Sequence, residues 1–139
     1  MEIIYTESLP SKGEFFDLYE TTGWNTAFDY SDEVLHKAIS NSWYSVSARL
    51  DNRLVGFGRI VSDGFYQTFI CDLIVHPDFQ RQGIGMKIMQ LLMDHCKKMN
   101  VNYIQLSCAK GKVGFYEKFG FHVRPSDAPG MHILVKGSN

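Results

Sequence analysis

Gln80-Arg81-Gln82-Gly83-Ile84-Gly85 stands between an apolar run, Phe69 to Val75, and a helical pattern that continues to about Asn100. A strand that delivers a glycine-bearing loop into a helix N-terminus gathers backbone N–H groups, and the helix dipole adds roughly half a positive charge there. Such a pocket holds phosphates. Glycine before a helix also serves a plain tight turn, so the spacing alone leaves both readings open. Two groups close to the loop in sequence can move protons. Asp72 is the one charge inside its apolar run, and burying it unpaired would be costly. It is therefore either held by an arginine or backbone partner, or turned toward a cleft as a base. His76 precedes Pro77 at the end of the run, where capping the loop competes with proton transfer.

These groups need a frame, and the chain supplies alternating elements. Ile3 to Thr6 reads as a short strand. Phe15, Leu18 and Tyr19 fall at helical spacing over Gly13 to Tyr19, and Gly23 ends that helix. Ser31, followed by Asp32 and Glu33, is an N-cap that opens a second helix through Val34, Leu35, Ala38 and Ile39 up to Asn41. Trp43 to Leu50 alternates as a half-buried strand, and Asp51-Asn52 turns it into a returning strand, Leu54 to Val61. Ser62-Asp63-Gly64 turns again into Phe69 to Val75, which reads as buried at most positions. Gly83 to about Asn100 is the strongest helix, with a stripe of Ile84, Ile88, Leu91, Leu92, His95 and Met99. Tyr103 to Cys108 is a strand, Val113 to Phe119 a short helix closed by Gly120 at C′, and Phe121 to Val123 and Met131 to Val135 are two last strands. This order predicts a layered α/β domain whose sheet is mixed, antiparallel first and parallel around the long helix.

At 139 residues the chain has the size of one domain, expected over residues 1–136, with 137–139 as a loose end. Hydrophobic residues make up 45% and charged residues 21%, the balance of an ordinary globular protein. Lys and Arg number 14 against 15 Asp and Glu, so nucleic acid is not the expected partner. No apolar stretch reaches about 18 residues, and none is expected to span a membrane. The N-terminus lacks the basic-then-apolar plan of a signal peptide. Cys71, Cys96 and Cys108 are odd in number and show no C-x-x-C spacing, which argues against a disulfide framework and a zinc site. A reduced, cytoplasmic compartment and no metal are the expectation.

"LIVHPDFQRQGIG", an amphipathic helix and then "GFYEKFGF" resemble two ordered motifs of the GNAT superfamily, the acyl-CoA-dependent N-acetyltransferases. Motif-level likeness covers roughly residues 72 to 121. The resemblance implies a mixed, mostly antiparallel sheet of about seven strands with about four helices, splayed around an acyl-CoA site. It implies that Gln80, Gly83 and Gly85 carry the pyrophosphate motif, with N–H donors from about Arg81 through Gln82 and Ile84 to Met86 and the Arg81 side chain. The protein has a net charge of only -1, so local donors must attract the anion. The pantetheine arm would pair with backbone at Leu73, Ile74 and Val75. Tyr116 matches the tyrosine that protonates the departing thiolate in many members. The sequence departs from the family where N-x-x-A-x-x-F-Y is usual: Ala109 and Lys112 stand there, and Lys110 or Lys112 is left to reach the adenosine phosphates.

The implied reaction moves an acetyl group from acetyl-CoA to a primary amine by direct attack in a ternary complex, in a cytoplasmic and, by family habit, homodimeric enzyme. Asp72 is the candidate base. Trp24, Phe28 and Tyr30, expected in a loop with Asp29 and Asp32 nearby, would receive a small-molecule amine with an apolar or aromatic body. "GWN" at 23–25 and "PGM" at 129–131 are similar to a branch that includes arylalkylamine acetyltransferases of plant and bacterial type. Two alternatives stay open: an acyl-CoA-binding module without catalysis, and an acetyltransferase acting on protein lysines or N-termini. A cysteine nucleophile is disfavoured, since neither Cys71 nor Cys108 has a sequence-evident partner.

Overall fold

The computed structural model describes residues 2–135, and the loose end expected at 137–139 lies outside them. The chain divides into two units, Met1–Gln105 and Leu106–Asn139. In the first, strands β1 (Ile4–Thr6), β2 (Tyr44–Leu50), β3 (Arg53–Ser62), β4 (Thr68–Val75) and β5 (Ile104–Gln105) lie side by side in that order. Three junctions are antiparallel and the β4–β5 junction is parallel. Helices α1 (Lys12–Glu20), α2 (Asn25–Phe28), α3 (Asp32–Ser40) and α4 (Ile84–Lys98) complete this unit, and α5 (Val113–Glu117) belongs to the second. The class is the expected mixed, mostly antiparallel α/β sheet. The count differs: among the described residues there are five strands where about seven were expected, and five α-helices where about four were.

Local chemistry sets the helix ends. Ser11 and Glu14 form a reciprocal capping box at α1, and Ser31 Oγ accepts from Val34 N at α3. The first helix ends before Gly23: Thr21 and Thr22 hydroxyls donate to Leu18 and Tyr19 carbonyls and cap it. α2 replaces the loop expected around Trp24 to Tyr30. Four residues carry no readable periodicity, and what closes this turn is Asn25, whose amide donates to Tyr30 O and accepts from Tyr30 N.

Asp51 and Asn52 both take positive φ, 49° and 67°, between the paired Leu50 and Arg53, the two-residue hairpin turn whose twist suits the flanking strands. β2 is covered on both faces rather than half-buried. Tyr44, Val46 and Ala48 oppose Ile60, Gly58 and Gly56 on the α4 side, while Ser45 and Ser47 oppose Arg59 and Phe57 beneath α1 and α3. Serine is small enough to be buried there, and Ser47 Oγ keeps a partner in Ser8 O. On the α4 side, a Cβ on Gly58 would stand 2.7 Å from Ile88 Cγ2, so the glycines of β3 let the helix settle onto the sheet. The α4 stripe is correspondingly rotated from the expected one: Ile84, Ile88, Met89, Leu92 and Cys96 are buried, whereas Met99, past the helix end, is 47% exposed.

β4 departs from the buried strand expected, with only Thr68, Ile70 and Ile74 buried. Phe57 pairs with Ile74 and Arg59 with Cys71, so two steps on β3 span three on β4. The extra residue is a bulge, and Asp72 within it has φ of 52°. Opposed residues share a face, so Ile70 follows Ile60 to the α4 side and Ile74 follows Phe57 into the α1–α3 core. β5, expected over Tyr103 to Cys108, pairs only at Thr68 and Phe69. Beyond Phe69 no described strand flanks that edge of β4.

In the second unit, Gly120 takes φ of 94° at the C′ position expected of it. Gly120 N bonds Glu117 O and Phe121 N bonds Tyr116 O, a Schellman closure. Phe121 to Val123 and Met131 to Val135 do not form strands. Their side chains bury little, Met131 being 92% exposed, and β propensity without a paired neighbour does not hold a ladder.

Candidate active site

β4 ends at Val75, and His76 begins a 3₁₀ turn, Pro77–Phe79, by accepting from Asp78 N through Nδ1. His76 thus caps the loop, with Arg53 Nη2 at 3.2 Å from its Nε2. Gln80 folds back, its amide donating to Val75 O at 3.0 Å. That bond ties the loop to the strand end. It also occupies a carbonyl that the resemblance assigned to pantetheine, and turns the Gln80 side chain to loop closure. Arg81 and Gly83 both adopt left-handed backbone, φ 64° and 82°, and Gly83 is the N-cap of α4 with no side-chain cap bond. α4 starts its own bonding at Lys87 N to Gly83 O. The N–H groups of Ile84, Gly85 and Met86 precede that first bond and have no acceptor within the helix. A Cβ built on Gly83 meets no heavy atom within 4 Å. An uncapped helix N-terminus with open space at Gly83, following a strand whose edge has no partner strand beyond Phe69 among the described residues, suits an anion followed by an extended arm.

A second concavity of about 400 Å³ lies among α1, α2, α3 and the β3–β4 pair. Phe15, Tyr19, Phe28, Tyr30, Val34, Leu35, Ala38 and Ile39 line it, and its charged walls are Arg59 and Asp72. Arg59 Nε donates to Asp72 Oδ2 at 2.7 Å, and Nη1 donates to Ala38 O at 3.1 Å, close to the C-terminus of α3 where a cation is favoured. Of the two arrangements open for Asp72, a partner or a cleft, both are realised together. The pair also acts on its surroundings. Burial and the Asp72 carboxylate push the Tyr19 phenol up to about 12, with a further push from Tyr30. Burial, then Asp72, raises the Cys71 thiol, which leaves it a poor nucleophile.

Phe28 and Tyr30 line this pocket, their rings stacked at 5.7 Å and 41% and 45% exposed. Trp24 does not. Its ring meets Tyr19 edge-on at 5.9 Å and packs on the core, because α2 turns it inward. Sequence reasoning missed Arg59 and Tyr19. The alternation of β3 is the signal that could have found the arginine, since Arg59 shares a face with buried Phe57.

In the second unit, Tyr116 sits on α5 with Phe115 and Phe121 edge-on at 5.0 and 6.3 Å. Burial first, then Cys108, raises its phenol, so it holds its proton through the neutral range. Cys108 is exposed and outside any strand. Lys110, Gly111 and Lys112 form an exposed turn, closed by Lys112 N to Ala109 O, with Gly111 at φ of 79°.

The chain is similar to known proteins in sequence and in fold. A protein called uncharacterized N-acetyltransferase ycf52, from Gracilaria tenuistipitata var. liui, is 34% identical over 98 residues, 68% of this chain and 54% of that protein. Chloroplastic serotonin N-acetyltransferase 2 from Oryza sativa subsp. japonica is 32% identical over 72% of this chain and 52% of its own length. The chain spans about half the length of the curated relatives it matches. A solved GNAT family acetyltransferase from Streptococcus pneumoniae is 31% identical with a TM-score of 0.81, over 98% of this chain and all of that one. The PaiA N-acetyltransferase of Thermoplasma acidophilum, solved with coenzyme A, has a TM-score of 0.71 at 20% identity over 89% of this chain and 92% of that one, a likeness of fold. The pattern of the acetyltransferase (GNAT) family matches residues 8–121, and the chain belongs to that family.

Proposed function

We propose that this chain is an N-acetyltransferase domain, spanning residues 1–136, that moves an acetyl group from acetyl-CoA to a primary amine by direct attack within a ternary complex. The observation that carries the reading is the uncapped, glycine-led N-terminus of α4 standing after a strand whose outer edge has no described partner beyond Phe69. Backbone N–H groups around Arg81 to Met86 would hold the pyrophosphate, and the β4 edge at Leu73 to Val75 the arm. The coenzyme A in the Thermoplasma neighbour supports this by likeness of fold. The neutral nitrogen of the acceptor attacks the thioester carbonyl and the C–S bond breaks. Tyr116 Oη, which burial keeps protonated, gives its proton to the leaving sulfur. The proton lost by the acceptor nitrogen passes to water or to Asp72, the charged acceptor in the aromatic pocket.

Calorimetric titration of the protein with acetyl-CoA tests the reading. Binding in the wild type that Gly83→Glu abolishes, with circular dichroism unchanged, is the expected result: the new carboxylate would project into the space above the helix N-terminus. Folded wild-type protein that binds no acetyl-CoA overturns it.

A further inference from the structure

We infer that the acceptor pocket is built for a zwitterion, an α-amino acid with an apolar or aromatic side chain, and that Arg59 is the residue that selects it. The inference rests on the acetyl-transfer reading for its chemistry, and on the pocket for its recognition. The charged pair in the wall is internally neutral: Arg59 Nε already satisfies Asp72 Oδ2 at 2.7 Å. A simple monoamine entering as an ammonium ion would bring an uncompensated positive charge beside a guanidinium, in a pocket otherwise walled by rings and aliphatic chains. A zwitterion adds no net charge.

The atoms left over match one. Arg59 spends Nε on Asp72 and Nη1 on Ala38 O and Ser42 Oγ, while Nη2 makes no hydrogen bond among the described residues. Asp72 spends Oδ2, and Oδ1 makes none among them either. Among the described residues, one guanidinium nitrogen and one carboxylate oxygen of a bonded pair that lines the pocket are thus left without a partner. They suit a carboxylate and an ammonium carried on one carbon. The three bonds to Arg59 hold it in place before any ligand arrives, so little ordering cost falls on binding. Phe28 and Tyr30, stacked and partly exposed at the mouth, would cover the side chain of the amino acid. The volume, about 400 Å³, is in the range of small-molecule sites.

The decisive comparison is L-phenylalanine against 2-phenylethylamine, which differ only by the carboxylate. Saturation-transfer NMR reads binding of each to the protein without acetyl-CoA, and mass spectrometry reads acetylated product with it. The expected result is that phenylalanine is preferred by at least about tenfold in both, the worth of one charge-assisted hydrogen bond. Arg59→Lys, which keeps the charge and loses the fork, should shrink the preference, and Asp72→Asn should weaken both ligands. Equal or stronger binding of 2-phenylethylamine by the folded wild type overturns the inference, whether or not either amine is acetylated, and an unchanged preference in a folded Arg59→Lys variant removes Arg59 from it. If phenylethylamine is the better substrate, acetyl transfer stands and the zwitterion falls. If phenylalanine binds in the pocket while acetyl-CoA does not bind at all, the recognition stands and the acetyl transfer falls.

Discussion

Breaking the Arg59–Asp72 pair one side at a time should give unequal losses, and the inequality follows from the geometry. Arg59→Met leaves the Asp72 carboxylate without its cation and Ala38 O without its donor. Stranding a fully buried charge costs about 3–5 kcal/mol, and because the side chains are 15% and 23% exposed, water reduces this to about 3 kcal/mol. Asp72→Asn keeps size and a neutral hydrogen bond, and asparagine accepts the left-handed φ of 52°. It should cost about 1.5 kcal/mol, the charge-assisted part of the bond. In the double variant no charge is stranded, so the total should fall short of the sum of the two singles, about 3 instead of about 4.5 kcal/mol, a coupling energy near 1.5 kcal/mol. Urea unfolding followed by circular dichroism, with unchanged m-values, measures all four corners of the cycle. A coupling below about 0.5 kcal/mol would mean a pair screened like a surface ion pair, and would refute its role as a fixed wall of the pocket.

Other perturbations test other parts. Gly58→Ala places a methyl 2.7 Å from Ile88 Cγ2 beneath α4 and should cost about 1–3 kcal/mol by urea unfolding; a neutral substitution would show that α4 rides higher on the sheet. Tyr116→Phe should lower turnover by about a hundredfold while the acetyl-CoA Kd stays put, and an unchanged kcat would remove the phenol from proton transfer. His95 lies flat on Tyr44 at 3.7 Å and edge-on to Trp43, and burial, against a smaller opposing pull from Glu7, depresses its pKa below the ordinary 6.5. The unfolded chain therefore takes up this proton first. Stability from the neutral imidazole is complete above 6.5 and is lost as pH falls through the folded value. Melting temperature should drop below pH 6.5, and His95→Gln should flatten that part of the profile; an equal drop in the variant would assign it to other groups.

Legibility in the sequence followed the range of the interaction. Ser31 as a cap, Asp51-Asn52 as a hairpin turn and Gly120 as a C′ residue are settled within four residues of chain, and each is found where its type predicts. The order β2–β3–β4 followed as well, because hairpins join neighbours, whereas the place of β1 beside β2 was not foreseen, three helices lying between them. What escaped depends on partners far away. The two serines of β2 looked solvent-facing until α1 and α3 covered them, and the α4 stripe was misplaced at Met99 because the helix ends at Lys98 and Met99 lies past it, exposed. Trp24 was placed at a binding site on the strength of being aromatic in a loop, yet a turn of helix aims it at Tyr19. Asp72 was rightly singled out as odd. Its arginine is thirteen residues upstream on the neighbouring strand, where only the register of β3 against β4 reveals it.

That register explains why one strand can serve two ends. In a regular strand Ile70, Asp72 and Ile74 would share a face, and a carboxylate would lie between two buried isoleucines. The extra residue changes the parity, so that Ile70 packs toward α4, Ile74 joins Phe15 and Phe57 below α1 and α3, and Asp72 is released from both into the wall of the pocket. The left-handed φ this requires is a cost for any residue but glycine or a short polar one, and aspartate lowers it. Arg59 then meets the carboxylate at the place where the strand breaks, and Ala38 O ties the same guanidinium to α3. The bulge therefore fixes a charged pair in an apolar cavity by backbone geometry, and the strand resumes regular pairing in time to deliver Val75 to the glycine loop. A site assembled this way depends on the position of one inserted residue more than on the identity of any apolar neighbour.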